Sequence, residues 1–177
     1  MAESAFIVAV QEAESLVGEL RDRYDPTSRL NVPAHITILY PFMPPDKIDD
    51  GIIRQASDVF SRYQPFDFSL VEIGRFPVTT YLSPDPSQPF IDLTSAVVRE
   101  FPAFPPYEGK FESVIPHITV ADGDAYEAAR AEAELRALMG QDADIKATCD
   151  SILLIENSTG LWEKMHEFRL ALIDSNN

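Results

Sequence analysis

The segment Pro33-Ala34-His35-Ile36-Thr37-Ile38-Leu39-Tyr40 returns, little changed, as Ile115-Pro116-His117-Ile118-Thr119-Val120-Ala121. Two of the chain's three histidines thus stand in one phrase: a proline just before, His-Ile-Thr, then a β-branched residue. Threonine two places after two of three histidines arises in roughly 1% of shuffled chains of ordinary composition, before the shared Pro and Ile are counted. Each phrase reads as a strand, because β-branched residues suit a pleated, half-buried surface. Alternation along a strand turns His35 and Thr37 to one face and Ile36 and Ile38 to the other. The second copy does the same with His117 and Thr119 against Ile118 and Val120. The chain therefore offers an imidazole beside a hydroxyl, twice, on strands anchored by their opposite faces.

Composition narrows the class. With 177 residues, 45% hydrophobic and 24% charged, the chain suits one folded domain, 1–177, of two small lobes, with the proline-rich stretch Ser83 to Pro89 as a loop near the midpoint. The longest early apolar run, Ala5 to Val10, is too short for a signal-peptide core and follows Glu3 rather than basic residues, so a cytoplasmic protein without a membrane span is expected. The single Cys149 lies in an apolar run and reads as core packing. Twenty-nine acidic against 14 basic residues give a formal charge of −15, which repels polyanions at long range. No Lys/Arg cluster supplies the footprint that long nucleic acid needs, so the expected partner is a small nucleotide or an RNA end, met by a monomer.

The other segments follow from periodicity. Ala5 to Val10 is a strand covered on both faces, and Ala13, Leu16, Val17 and Leu20 mark a helix ended by Asp25-Pro26. Pro44-Pro45-Asp46 opens a helix through Phe60, and Phe66 to Leu70 and Val78 to Leu82 are strands around a turn at Gly74 to Pro77. Phe90, Leu93, Val97 and Phe101 mark another helix, and Asp124 with Glu127 forms a capping box before an Ala-rich helix that stops at Gly140. Asp144 to Ile155 and Trp162 to Ile173 read as two closing strands. The halves repeat one order: strand, helix, motif strand, helix, strand. The expected fold is α+β: a bilobal pseudo-twofold repeat, two small mostly antiparallel sheets facing across a cleft, helices on the outer faces.

The paired His-x-Thr phrases resemble the two-histidine phosphoesterase superfamily, and within it the RNA 2′-5′ ligase-like and cyclic-nucleotide phosphodiesterase branch. Tyr40-Pro41-Phe42, Gly74-Arg75-Phe76-Pro77 and Phe104-Pro105-Pro106-Tyr107-Glu108-Gly109 are similar to that branch as well, and the likeness runs from Ala5 to Leu172. The resemblance implies a bilobal fold with one motif strand from each lobe lining the cleft, His35 and His117 as catalytic residues, Thr37 and Thr119 on the phosphate, and no metal or cofactor.

The chemistry agrees. Phosphodiester cleavage needs one oxygen deprotonated and another protonated on opposite sides of phosphorus, and two imidazoles titrating near pH 6.5 suit the two tasks. Un-ionised threonines donate hydrogen bonds to the non-bridging oxygens. The expected reaction is hydrolysis of a 2′,3′-cyclic phosphate or 2′-5′ phosphodiester. The alternatives are 2′-5′ ligation, which is the reverse reaction, and a nucleotide- or RNA-end-binding module without chemistry. Arg75 is a candidate phosphate ligand through its planar fork, against the simpler reading of a solvated turn arginine. Tyr40, Tyr81, Tyr107 and Trp162 are candidates to stack on a base, though each alone is more often packing. A metal centre fits poorly, since the recurring partner of histidine is threonine and no His-x-His or Cys-pair spacing occurs. His166, within Glu163-Lys164-Met165-His166-Glu167, reads as a surface residue.

Overall fold

A computed structural model describes residues 2–110, 113–140 and 144–171. Its elements are β1 (Ser4–Ala9), α1 (Gln11–Tyr24), β2 (His35–Leu39), α2 (Asp50–Phe60), β3 (Phe66–Arg75), β4 (Thr79–Asp85), α3 (Gln88–Glu100), β5 (Ile118–Asp122), α4 (Ala125–Met139), β6 (Ile145–Cys149), β7 (Ser151–Glu156) and β8 (Glu163–Arg169). The α+β class and the repeated strand-helix order are as the sequence predicts. Asp124 caps α4 by accepting from the backbone N–H groups of Tyr126 and Glu127, and Asp49 caps α2 in the same way.

The expectation of two separate sheets is corrected. β2 pairs antiparallel with β5, Ile36 opposite Ile118, and this joins both halves into one antiparallel sheet of order β6-β3-β4-β5-β2-β1-β7-β8. The sheet must curl. β6 and β7 stand six strand positions apart, about 29 Å in a flat sheet at roughly 4.8 Å per step. Yet only Asp150 lies between them in sequence, and so short a link reaches about 7 Å. The run Asp144 to Ile155, read as one strand, is for this reason two strands broken at Asp150, β6 beside β3 and β7 beside β1.

The pseudo-twofold shows in the registers. Opposite β1, Phe6 pairs with Leu39 and Ile7 with Thr37, so Ile38 is the extra residue of a bulge. Opposite β4, Thr80 pairs with Ala121 and Tyr81 with Thr119, so Val120 is extra. Each bulge falls three residues after a motif histidine.

Ser83 to Pro89, read as a loop, is mostly ordered structure: β4 runs to Asp85 and α3 starts at Gln88, with Pro89 in its first turn. Pro84 is tolerated within a strand because β5 pairs only with Thr79 to Leu82 of β4, so Pro84's missing N–H leaves no ladder bond unmade on that side.

One face of the sheet, with Ile36, Ile38, Ile118 and Val120, packs against all four helices through residues such as Val17, Phe60, Leu93 and Leu135. On the other face a smaller cluster of Ala5, Ile7, Val32 and Ile155, with Tyr40, Leu153 and Trp162 against it, contains no helical residue.

Leading into β2 is a buried ion pair. Arg21 and Asp25, 1% and 2% exposed, bond through Nε and Nη2 to Oδ2 at 3.0 and 2.9 Å. Nη2 also donates to the Val32 carbonyl at 3.0 Å, while Asp25 Oδ1 accepts from the Thr27 N–H and hydroxyl. The pair thereby pins the turn that delivers Pro33 and His35. Removing one buried partner strands the other, so Arg21→Ala is expected to cost about 3–5 kcal/mol in denaturant unfolding, and the Arg21→Met/Asp25→Leu double variant distinctly less.

Candidate active site

The pairing of β2 with β5 puts the four motif side chains together. With Ile36 opposite Ile118, the antiparallel register sets His35 across from Thr119 and Thr37 across from His117, all four on the face turned from the helices. Directly opposed side chains of such a pair lie about 5 Å apart at Cβ and diagonal ones about 7–8 Å. The histidines occupy a diagonal, and the charge of His117 opposes protonation of His35.

Both imidazoles are held alike. His35 Nδ1 lies 2.8 Å from the Pro33 carbonyl oxygen, and His117 Nδ1 lies 2.6 Å from that of Ile115. A carbonyl can only accept, so Nδ1 carries the proton in both rings and Nε2 keeps its lone pair. The backbone two residues upstream thus sets tautomer and ring orientation in each motif. At the first motif the Glu14 carboxylate also accepts from the Ala34 N–H, fixing the residue beside His35 to α1.

Burial pushes the His35 pKa down to about 4, with the nearby Arg21 charge adding to the effect and the Pro33 bond and Asp25 opposing it. Burial lowers the His117 pKa too, while the Ile115 bond and the Asp122 carboxylate pull it back. Asp122 stands where the pseudo-twofold puts Tyr40 in the other half, so only His117 has a carboxylate at that position.

The walls also differ. Phe76 and Tyr81 pack on each other with centroids 4.5 Å apart, and both rings flank His117, at 5.4 and 5.1 Å. Gly74, opposite Tyr81 on β3, makes this possible, because a Cβ there would meet the Tyr81 ring at 2.3 Å. Near the first motif, Tyr40 packs edge-on against Trp162 and Tyr107, and burial pushes the Tyr107 pKa up while the Thr37 side chain opposes the rise. A pocket of about 530 Å³ opens on the His117 side over Glu72, Ser83 and Asp85. Another, of about 420 Å³, opens on the His35 side between Pro33, Ile155, Trp162 and Lys164.

Of the sequence candidates, His35, Thr37, His117 and Thr119 come together, and Arg75 does not. Its cross-strand partner is Thr80, whose hydroxyl donates to the Ala128 carbonyl of α4, and Arg75 itself reaches Glu132 of α4 at 3.1 Å on the helix-covered face. His166 is exposed on β8, away from the pair. Asp122 and the two carbonyls have no sequence signature. Phe76 had one: an aromatic two residues after the glycine of a hairpin.

Residues 8–161 match the model of the 2′-5′ RNA ligase superfamily. The chain belongs to that superfamily. Among solved structures it is similar to E. coli LigT complexed with NADP+ (16% identity, TM-score 0.61, covering 96% of this chain and 98% of that one). It is similar as well to a phosphoesterase (14%, 0.60, 97% and 100%) and to the Thermus thermophilus protein TT0787 (13%, 0.57, 94% and 97%). No curated protein matches the chain. Among the described residues no helix is long and apolar enough to cross a membrane.

A pH consequence follows from the two imidazoles. An unfolded histidine binds its proton near pH 6.5 and folded His35 only near 4, so stability is lost as pH falls through that interval. In an NMR titration the His35 ring is expected to give a midpoint near 4, the His117 ring one below the usual 6.5, and added phosphate should raise both. A His35 midpoint at 6.5 would contradict the buried, carbonyl-bound ring.

Proposed function

We propose that this superfamily member is a metal-independent phosphodiesterase that opens a 2′,3′-cyclic phosphate, or cleaves a 2′-5′ phosphodiester, on a nucleotide or RNA end. The observation that carries the reading is the pair of half-buried imidazoles, both with Nε2 unprotonated, on one strand face with two threonine hydroxyls between and beside them.

His35, with the lower proton affinity, is the general base: its Nε2 takes a proton from water as the water oxygen bonds to phosphorus. His117, with Asp122 nearby, is the more easily protonated ring, and a bound phosphate anion favours its imidazolium further. It gives its proton to the departing ribose oxygen as the P–O bond breaks. The products are a phosphomonoester, the 2′ isomer by likeness to the branch, and a free hydroxyl, and the two histidines have exchanged protonation states. Thr37 and Thr119 donate to the non-bridging oxygens throughout.

The surroundings favour a nucleoside substrate. Phe76 and Tyr81 offer aromatic surface beside His117, and the carboxylates of Glu72 and Asp85 suit ribose hydroxyls or exocyclic amines better than a second phosphate. E. coli LigT has been solved with 3′-AMP, ATP and NADP+, all nucleotides. Hydrolysis is preferred over ligation because a chain of charge −15 is a poor holder of two RNA ends. A cytoplasmic monomer working on small substrates fits the same reading.

The test is turnover of nucleoside 2′,3′-cyclic phosphates and 2′-5′-linked dinucleotides in EDTA. His35→Ala and His117→Ala should each lose at least about 100-fold in rate. If both turn over every cleaved substrate at the native rate, the reading fails. The sign of the shifts also sets the pH profile. kcat/KM should fall on the acid side as His35 protonates, near 4, and on the alkaline side as His117 deprotonates, below 6.5, giving a bell whose maximum is acid of neutrality. A maximum above pH 8 would exclude this assignment of roles.

A further inference from the structure

Each motif imidazole hangs on a carbonyl two residues upstream, and the two halves fix that carbonyl by different means. The Ile115 carbonyl belongs to the peptide unit that enters Pro116, and the Pro33 carbonyl to the unit that enters Ala34. At Pro116 the pyrrolidine ring locks φ at about −65° and keeps Ile115 extended, so the plane is set covalently. Ala34 has no such ring, and it has an N–H.

A trans peptide unit is planar, with its C=O and N–H pointing opposite ways. The unit between Pro33 and Ala34 is trans and is gripped at both ends. Its carbonyl accepts from His35 Nδ1 at 2.8 Å, and its N–H donates to Glu14 Oε1. Turning the plane would break both bonds, and an acceptor on the N–H strengthens the carbonyl's own hydrogen bond. The next unit is pinned as well, since the Ala34 carbonyl accepts from the Val10 N–H at 2.8 Å. Ala34 is fully buried, so without Glu14 its N–H is left to whatever water enters the adjoining pocket that Glu14 lines.

Glu14 is itself placed for this task. Its carboxylate lies 3.6 Å from Nη1 of the buried Arg21. One turn further along α1, a Cβ at Gly18 would stand 3.3 Å from Glu14 Oε2. Glycine weakens a helix interior relative to alanine, and here it leaves the carboxylate room. The ring depends on the outcome. With the carbonyl in place, Nδ1 keeps the proton and Nε2 its lone pair, the form a general base needs; with the plane turned, the proton is free to move to Nε2.

Resting on the phosphodiesterase reading, we propose that Glu14 is a positioning residue of the first half-site. Through the Ala34 N–H its carboxylate holds the Pro33 carbonyl on His35 Nδ1, the task that Pro116 performs covalently for His117.

The experiment compares Glu14→Ala, Glu14→Gln, Ala34→Pro and Glu14→Ala/Ala34→Pro by imidazole nitrogen NMR at neutral pH and by kcat and KM for a nucleoside 2′,3′-cyclic phosphate, with thermal midpoints measured alongside. Glu14→Ala should lower kcat about 5- to 30-fold, the range of one hydrogen bond, with KM within about 2-fold. It should also shift the His35 ring toward the Nε2-protonated form and leave His117 as it is. Glu14→Gln, which keeps an acceptor oxygen, should stay within about 3-fold of native. In the Ala34→Pro background, which removes the N–H and copies the second motif, Glu14→Ala should lose less than about 2-fold. A native kcat for Glu14→Ala, a loss in Glu14→Gln as large as in Glu14→Ala, or an unmoved His35 tautomer would overturn the proposal, as would an undiminished loss in the Ala34→Pro background. If Ala34→Pro does not fold, the Gln comparison and the tautomer decide. Should the native chain cleave no substrate, the phosphodiesterase reading falls, and the tautomer, which needs no substrate, decides separately on Glu14.

Discussion

The contact on which the site depends is the antiparallel pairing of β2 with β5 at Ile36 and Ile118. Both residues are fully buried in the common core, and their burial drives the two strands into this register. The side-chain period of a strand is two, so a slip of one residue would drive His35, Thr37, His117 or Thr119 into the helices and expose isoleucines. The site is the reverse side of a packing decision: hydrophobic free energy on one face fixes the placement of four polar side chains on the other. The two bulges, at Ile38 and Val120, end the alternation immediately afterwards and return Leu39 and Ala121 to the core. Each motif strand thus presents one His and one Thr to the open face and then seals itself.

Much of this was legible in the sequence because period and chemistry coincide in the motif strands. His-Ile-Thr-Ile states at once which face is buried and which is chemical, and the duplication says there are two such faces. The helices were legible for the same reason, the Asp124 cap and the Gly140 stop included. What could not be read were decisions made between distant segments. Asp144 to Ile155 is one apolar run, and nothing local marks Asp150 as the point where the chain leaves β3 for β1; closure of the whole sheet imposes that break. Arg75 illustrates the same limit. Its neighbours Gly74 and Phe76 belong to the site's wall, but strand alternation turns Arg75 itself toward Glu132. The carbonyls of Pro33 and Ile115 are backbone groups, and no side-chain pattern announces them.

For a chain of charge −15 to bind phosphate, as proposed, it needs a local device, and the motif side chains offer a neutral one. Hydroxyl donors and imidazoles whose proton affinity burial has reduced can receive a phosphate without a standing positive field, so longer polyanions gain little attraction. On that proposed reading the cost is that the general acid must acquire its proton, and the substrate helps to supply the means. A phosphate anion placed between the rings raises the proton affinity of both, most usefully that of His117, where Asp122 already counters burial. On the proposed reading, selectivity for a small, single phosphate and readiness for acid–base chemistry have one origin, the desolvated environment of the pair.

Pseudo-symmetry explains how such a site arises from one repeated phrase, but a symmetric site would have no preferred direction for moving a proton. Each departure from the twofold falls beside a motif residue. The deeper shift is at His35, and the carboxylate and the two aromatic rings are at His117. None alters the backbone holding of the imidazoles, which stays the same in both halves at 2.8 and 2.6 Å. The repeat therefore supplies geometry, and the side chains outside the repeat supply polarity. In physical terms the scaffold is symmetric where position matters and asymmetric where charge and hydrogen bonding must distinguish an attacking oxygen from a leaving one.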